Sequence, residues 1–414
     1  MKTDIIQAIE NPLQLEALYR KDKVGFKQAF NAIFIEHKEN THLQYWDIRL
    51  NYKEEKLSIG SKKEIGFIIL LAIIAGLFAN ISNLPNVNIE LFFTRNAAFL
   101  IIPFVSAYFI FKQQLLLKTK VIVGILLLLL ACYINLLPNN IQSSSINLVY
   151  IHLPMLLWSI LGYAYLGNEF LSNEKRINFL KFNGDLLIMS VIIFLSCVLF
   201  TVITFGLFNL IGIKVENFYI QYIAIWGIGA IPLFAAYLIY NNPNLINRIT
   251  PLIAKIFTPL VFINLFIYLV TLIYLGKYPH NDRNLLLVYN LLLVAVLALI
   301  FFSIAEQGTG KGHYFSSLLL FGLSLLTIII NGIALSAISF RIVELGITPN
   351  RMAVLGGNIL IFINLIIVSF NLLNVIRNKS NSFKVEHSIA KYLPVYAVWA
   401  AIVVLIFPIL FGWK

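Results

Sequence analysis

Charge is what this 414-residue sequence has least of. Asp, Glu, Lys and Arg make up 12% of it, about half the share of a soluble domain. With 59% hydrophobic residues and a mean hydropathy of +0.85, the chain does not read as a soluble protein. Cysteine is nearly absent too. Cys132 and Cys197 each sit inside an apolar run with no C-x-x-C spacing, which excludes a disulfide framework and leaves two small buried hydrophobes. The six histidines, His37, His42, His152, His280, His313 and His387, are scattered and make no H-E-x-x-H, so no metal site is assigned. There is no G-x-S-x-G elbow. The run from Gly308 to Lys311 fails as a phosphate loop, because Ala305 stands where its first glycine belongs and Gly312 where Ser or Thr should follow the lysine. No catalytic residue, cofactor site or cofactor is therefore assigned. The N-terminus lacks the apolar core of a signal peptide, and none is expected to be removed.

What is present is a succession of long apolar runs. Spans are expected near 65–82, 96–112, 120–137, 148–167, 185–212, 219–240, 252–276, 285–304, 314–338, 352–376 and 392–411. Each reaches across a ~30 Å hydrocarbon core at ~1.5 Å per residue. The fold class that follows is all-α: a polytopic transmembrane helix bundle of about 11 spans over residues 65–414, with a small N-terminal cytoplasmic helical unit over 1–64. Of the 31 basic residues, 24 fall in the N-terminal unit and the even-numbered loops and 7 on the other side. The excess places the N-terminus in the cytoplasm and the C-terminus outside. The formal charge of +12 is thus a matter of loop topology. No basic stripe interleaved with aromatics marks a nucleic-acid surface, and no nucleic-acid partner is expected.

Residues 1–64 are polar and nearly balanced in charge, with 11 basic and 10 acidic side chains. Asn11 and Pro12 make a helix start, and Leu15, Leu18, Phe26, Phe30, Ile33 and Phe34 recur at helical spacing. Two or three short helices fit. Their apolar faces are too small for a strong independent core, so docking on one another and on membrane-facing loops is expected. A cytoplasmic protein is one partner this unit could take, beside the membrane lipids around the bundle. Between Asn168 and Gly184, Phe170, Leu171, Ile177, Phe179, Leu180 and Phe182 alternate with Glu169, Glu174, Lys175, Arg176 and Lys181, which reads either as an interfacial helix or as a solvated connector.

Charges at bilayer depth mark pumps and relays. Every acid beyond residue 64, from Glu90 through Asp185, Glu306 and Glu344 to Glu386, is expected at or beyond a span end. Coupling through an intramembrane carboxylate is accordingly not expected. His152 is the exception among titratable groups. Asparagine is the main polar residue within the spans, and Asn290, Asn364 and Asn371, with His152, are candidates to line a polar cavity; pairing between helices is the alternative. Asn284 to Val294 and Asn358 to Val368 share an N-x5-N-L-h-h-V pattern, which raises a parallel repeat of spans 8–9 and 10–11. Arg341 and Glu344 are one helical turn apart, and Thr348 with Pro349 reads as a helix cap ahead of Arg351. With Asp282 and Arg283 on the same expected side, Arg341, Glu344 and Arg351 form a candidate anion or lipid-headgroup cluster. The alternative is an electrostatic anchor for a corner of the bundle.

The string from Arg341 through Glu344, Gly346, Thr348, Pro349 and Asn350 to Arg351, with the segment Asp282 to Asn290 upstream, resembles a bacterial membrane family catalogued as domain of unknown function 4153. The resemblance covers about residues 65–410. It implies a multi-pass protein of the bacterial inner membrane and no defined activity. Three functional classes remain: a transporter or flippase for a small or amphipathic solute, a membrane-embedded regulatory or scaffold protein, and an intramembrane enzyme. The first draws on Gly206, Gly227, Gly229, Pro232 and Pro259, which can break helices beside a cavity. The topology has a direct test. A reporter fused after Lys414 is expected to be active only outside the cytoplasm, and cytoplasmic activity would overturn the span count or the orientation.

Overall fold

The computed structural model describes residues 1–35, 37–50, 60–140, 142–210, 216–243, 249–275, 283–306, 313–377 and 381–413. Every regular element among them is helical. Hydrocarbon favours this outcome, because a helix satisfies its own backbone donors and acceptors. The chain divides into two compact units, Met1–Ile59 and Gly60–Lys414. The division comes ahead of residue 64 because the Ser61 hydroxyl accepts from the Glu64 amide at 3.2 Å, so that Lys62 already belongs to a helix.

The first unit holds α1 (Lys2–Gln7), α2 (Pro12–Lys21), α3 (Lys23–Phe34) and α4 (Thr41–Leu50). Asn11 caps α2 as its sequence implies, accepting from the Gln14 amide at 3.3 Å, and Asp22 caps α3 through Gly25 at 2.9 Å. The helices dock on one another around Leu15, Phe26, Phe30 and Leu43, all fully buried, with the Trp46 ring 5.0 Å from that of Phe26. Arg49 lies over Trp46 at 4.6 Å and pairs with Glu16 at 2.6 Å, while Arg20 reaches the same carboxylate at 2.9 Å.

The second unit contains α5 (Lys62–Asn80), α6 (Ile89–Asn96), α7 (Ile102–Lys112), α8 (Leu117–Leu136), α9 (Ser144–Leu166) and α10 (Asn173–Leu210). It continues with α11 (Glu216–Asn241), α12 (Ile249–Leu275), α13 (Arg283–Ala305), α14 (His313–Leu345), α15 (Pro349–Ile376) and α16 (Phe383–Leu410). Among the described residues nine helices are long and apolar enough to cross a membrane, counting α6 and α7 as one. The described apolar stretches of α12 and α13, Ile256–Ile267 and Asn290–Ala305, are shorter.

Several local expectations change. The stretch from Asn173 to Gly184 is no connector: α10 runs through it for 38 residues, and Ile177, Phe179 and Phe182 are buried against other helices. The second expected span starts earlier, at Ile89, and is interrupted by a tight turn over Ala97–Leu100. By contrast α11 and α12 pass through Pro232 and Pro259 as helix. Cys132 and Cys197 are exposed on the helix surfaces, where an apolar solvent replaces the protein interior that their sequence context suggested.

Among the described residues two large apolar cores form within this unit, with a small third cluster of Leu148, Ala353, Val403 and Phe407. The first gathers α5, α7, α8, α9 and the end of α11 around Tyr108, Phe109, Val149 and Leu157. The second gathers α12 to α15 around Leu293, Ile300, Leu323 and Leu365. Helix α10 serves both, giving Phe179 and Phe182 to the first and Ile177 to the second, and α16 does the same with Val404 and Ile389. Close approach sets the glycines: Trp226 covers Gly76 and Trp399 covers Gly356, and a Cβ at either position collides with the indole.

The first unit carries a pH signature. Hydrogen bonds from Arg20 and then Arg49 hold the Glu16 carboxyl below its ordinary value of 4.5. A carboxyl depressed on folding contributes stability above that value and loses it as pH falls through the lowered one. Amide protection within residues 1–50 should therefore drop below about pH 4.5, and less steeply in Glu16→Gln. Equal profiles for the two proteins in hydrogen exchange of the full chain would show that this ion pair does not hold the unit.

Candidate functional site

Ionisable groups inside a helix bundle must be paired or must face a cavity. At one end of the second unit, two such groupings lie side by side. The first turn of α5 carries Glu64, the last turn of α7 carries Tyr108 and Lys112 four residues apart on one face, and α11 ends on Asn241. The carboxylate of Glu64, 3% exposed, accepts from Tyr108 Oη at 2.9 Å, Asn241 Nδ2 at 2.8 Å and Lys112 Nζ at 2.7 Å. Lys112 also donates to Asn241 Oδ1 at 2.9 Å. Every member has a partner, so this network is a tie between three helices.

The second grouping is less complete. Across a wall of rings, in which Tyr240 stands against Tyr108 and Phe109, and Phe109 against Tyr165 and Phe182, a cavity of about 260 Å³ opens. It is lined by Tyr165, Asn178, Lys181, Phe182, Asp185, Ile239, Tyr240 and Pro243. Asp185 sits twelve residues into α10, 6% exposed, and its Oδ1 has no hydrogen-bond partner among the described residues. Thr250, fully buried at the start of α12, turns its hydroxyl toward the Asp185 carboxyl. Glu306, just past the end of α13 and 8% exposed, pairs with Lys181 Nζ at 3.5 Å, too far for a good hydrogen bond, and its oxygens accept no shorter one among the described residues. Burial pushes the Glu306 carboxyl up to about 7, with Lys181 opposing the rise and Asp185 adding to it. Asp185, expected at the start of a span, lies within the 38-residue helix Asn173–Leu210 just ahead of its exposed apolar residues, and like Glu64 and Glu306 it is buried.

The residues singled out by sequence go elsewhere. Thr348 caps α15, accepting from the Arg351 amide at 3.3 Å with Pro349 in the first turn. The Arg351 guanidinium donates to the carbonyls of Leu345 and Gly346 at 2.8 and 2.6 Å. Arg341 is half-buried with Nη1 unpartnered, Glu344 is exposed, and no ion pair joins Glu344 to either arginine among the described residues. Asp282 and the side chain of Arg283 lie outside the described residues. Asn290 accepts from Asn358 at 2.9 Å, and Asn364 donates to Tyr396 Oη at 2.9 Å. His152 turns Nδ1 to the Leu148 carbonyl at 2.9 Å. Asn371 is half-buried on α15. None of these four lines the cavity; the three for which bonds are given tie helices together or bond back to their own.

No group of three or more His, Cys, Asp and Glu able to hold a metal occurs among the described residues. No protein family, curated protein or solved structure matches this chain.

The complete network has a measurable weight. Removing the cation of a buried pair leaves a carboxylate without its countercharge, so Lys112→Met should cost about 3 kcal/mol, the low end because the lysine is partly exposed. Glu64→Gln should cost less, since Lys112 can turn to solvent. The check is thermal unfolding in detergent, and an unchanged midpoint in Lys112→Met would refute the tie.

Proposed function

We propose that this protein is a transporter of a small polar solute, set in the bacterial inner membrane with its N-terminus in the cytoplasm, and that the cavity beside Asp185 is where the solute enters. About eleven crossings belong to the same reading, as does the resemblance to the uncharacterised bacterial family. The observation that carries it is the buried Asp185 carboxyl, its Oδ1 without a hydrogen bond among the described residues, in a cavity whose walls come from α9, α10 and α11. Buried acceptors are ordinarily satisfied, so an acceptor left over beside a cavity supports a ligand reading. Four of the lining residues belong to α10, the helix that serves both cores, so relative movement of the two helix groups would reshape the cavity. The structure's amide pairs turn the asparagines toward helix packing, so the solute path argued here does not run along them.

A scaffold role has one observation in its favour. The first unit exposes Leu13, Ile35, Tyr45 and Ile48 on its surface, apolar positions a protein partner can cover. The two readings separate in one experiment. Protein purified from native membrane is expected to carry a small solute detectable by mass spectrometry, and Asn178→Trp, which fills the mouth of the cavity, should lose it. Recovery of a stoichiometric protein partner, with no solute that depends on the cavity, would replace transport with scaffolding.

A further inference from the structure

Helix α16 belongs to both helix groups, with Ile389 and Ala390 in the second core and Val404 in the first. It also carries two prolines, Pro394 and Pro408. A proline inside a helix has no N–H for the carbonyl four residues back, and its ring pushes that carbonyl aside, so each one opens the backbone ladder at a defined place. The carbonyls concerned are those of Ala390 and Val404. Both residues are fully buried, where a lost bond is costly unless another group replaces it. In each case a side chain from a different helix does so. Arg176 Nη1 of α10 donates to the Ala390 carbonyl at 3.3 Å, while its Nε and Nη2 are fixed on the Phe170 carbonyl at 3.1 and 2.9 Å. Tyr133 Oη of α8 donates to the Val404 carbonyl at 2.8 Å. Around this second break the helix is wider than an α-helix, because the Phe407 amide reaches the Ile402 carbonyl five residues back. Neither pairing is local: the donors stand 214 and 271 positions away in the chain.

We propose that α16 is a strap between the two helix groups, hinged at Pro394 and at 402–408 and latched in this conformation by Arg176 and Tyr133. Between the hinges the strap is tied to α15, by Tyr392 Oη on the Leu360 carbonyl at 3.0 Å and by Asn364 Nδ2 on Tyr396 Oη at 2.9 Å. Relative movement of the two groups therefore bends α16 at its prolines, because there the backbone ladder is already open. The hinges do not depend on what the cavity beside Asp185 holds.

The latches are tested by local hydrogen exchange on the full chain in lipid nanodiscs. Tyr133→Phe removes a single hydroxyl and should speed exchange of the amides in 405–413 by about fivefold, with those of Ile102–Lys112 unchanged. The decisive variant combines Tyr133→Phe with Pro408→Ala, in which an alanine N–H can serve Val404; its exchange should equal that of Pro408→Ala alone. A tyrosine that only packs would show the same loss whichever residue stands at 408, and that result would overturn the latch. Arg176→Met and Pro394→Ala are expected to behave likewise over 391–398. Movement is read separately, from spin labels at the exposed positions Ile151→Cys on α9 and Ile329→Cys on α14, with Cys132→Ser and Cys197→Ser. Tyr133→Phe should broaden the distance distribution, and Pro394→Ala together with Pro408→Ala should narrow it. The proline variants keep both latch residues, so they test the strap even where Tyr133→Phe fails to fold. One unchanged distribution in all of these proteins would overturn the strap. No ligand enters either measurement, so this proposal and the transport reading fail separately.

Discussion

Hydrocarbon offers no hydrogen bonds, and most of this molecule can be understood as a response to that fact. A chain with so few charged residues has few means of satisfying a polar atom except with another part of itself. Backbone groups close into helices. Where a helix ends in a poor environment, side chains step in: Arg95 donates to the carbonyls of Asn135, Leu137 and Pro138 at the end of α8, and Asn96 exchanges two amide bonds with Asn135 at 3.0 and 2.9 Å. That exchange also explains why the chain turns at Ala97–Leu100, since Asn96 is held against a different helix from the one it would otherwise continue.

The same rule makes exceptions informative. Four groups answer Glu64's environment: three donors reach its carboxylate, and the Asn241 carbonyl takes up the remaining demand of Lys112. A few residues away Asp185 and Glu306 are left open. Both groupings lie within one end of one bundle and share the Tyr240 ring at their boundary. The contrast is therefore not one of general polarity but of completeness.

Much of the architecture was legible because hydropathy is a local property. Apolar runs announce helices wherever they occur, and the caps at Asn11 and Thr348 depend only on residues three positions away. The site was not legible for the opposite reason. Glu64 meets partners 44, 48 and 177 positions along the chain, and nothing near it in sequence foretells them. Beside Lys62 and Lys63 it reads as an ordinary border charge. The burial of Asp185 was not legible because the charged residues from Glu174 to Lys181 look like a connector, whereas the apolar positions Ile177, Phe179 and Phe182 between them are spent on the two cores. The asparagines were legible as polar groups needing partners, and the structure supplies those partners across helices for Asn290 and Asn364.

Helix α10 has a length that matters in itself. Thirty-eight residues rise about 57 Å, nearly twice the ~30 Å thickness of hydrocarbon, so the helix must either lean far over or stand clear of the lipid at an end. Its outward apolar surface settles where the lipid begins: Leu187, Val191, Phe194, Leu195, Val198, Leu199 and Val202 are exposed, and the series starts two residues after Asp185. The turns before it carry Glu174, Lys175, Arg176 and Lys181. Asp185 thus sits where the charged turns of one continuous rod give way to its apolar surface, itself shielded by protein.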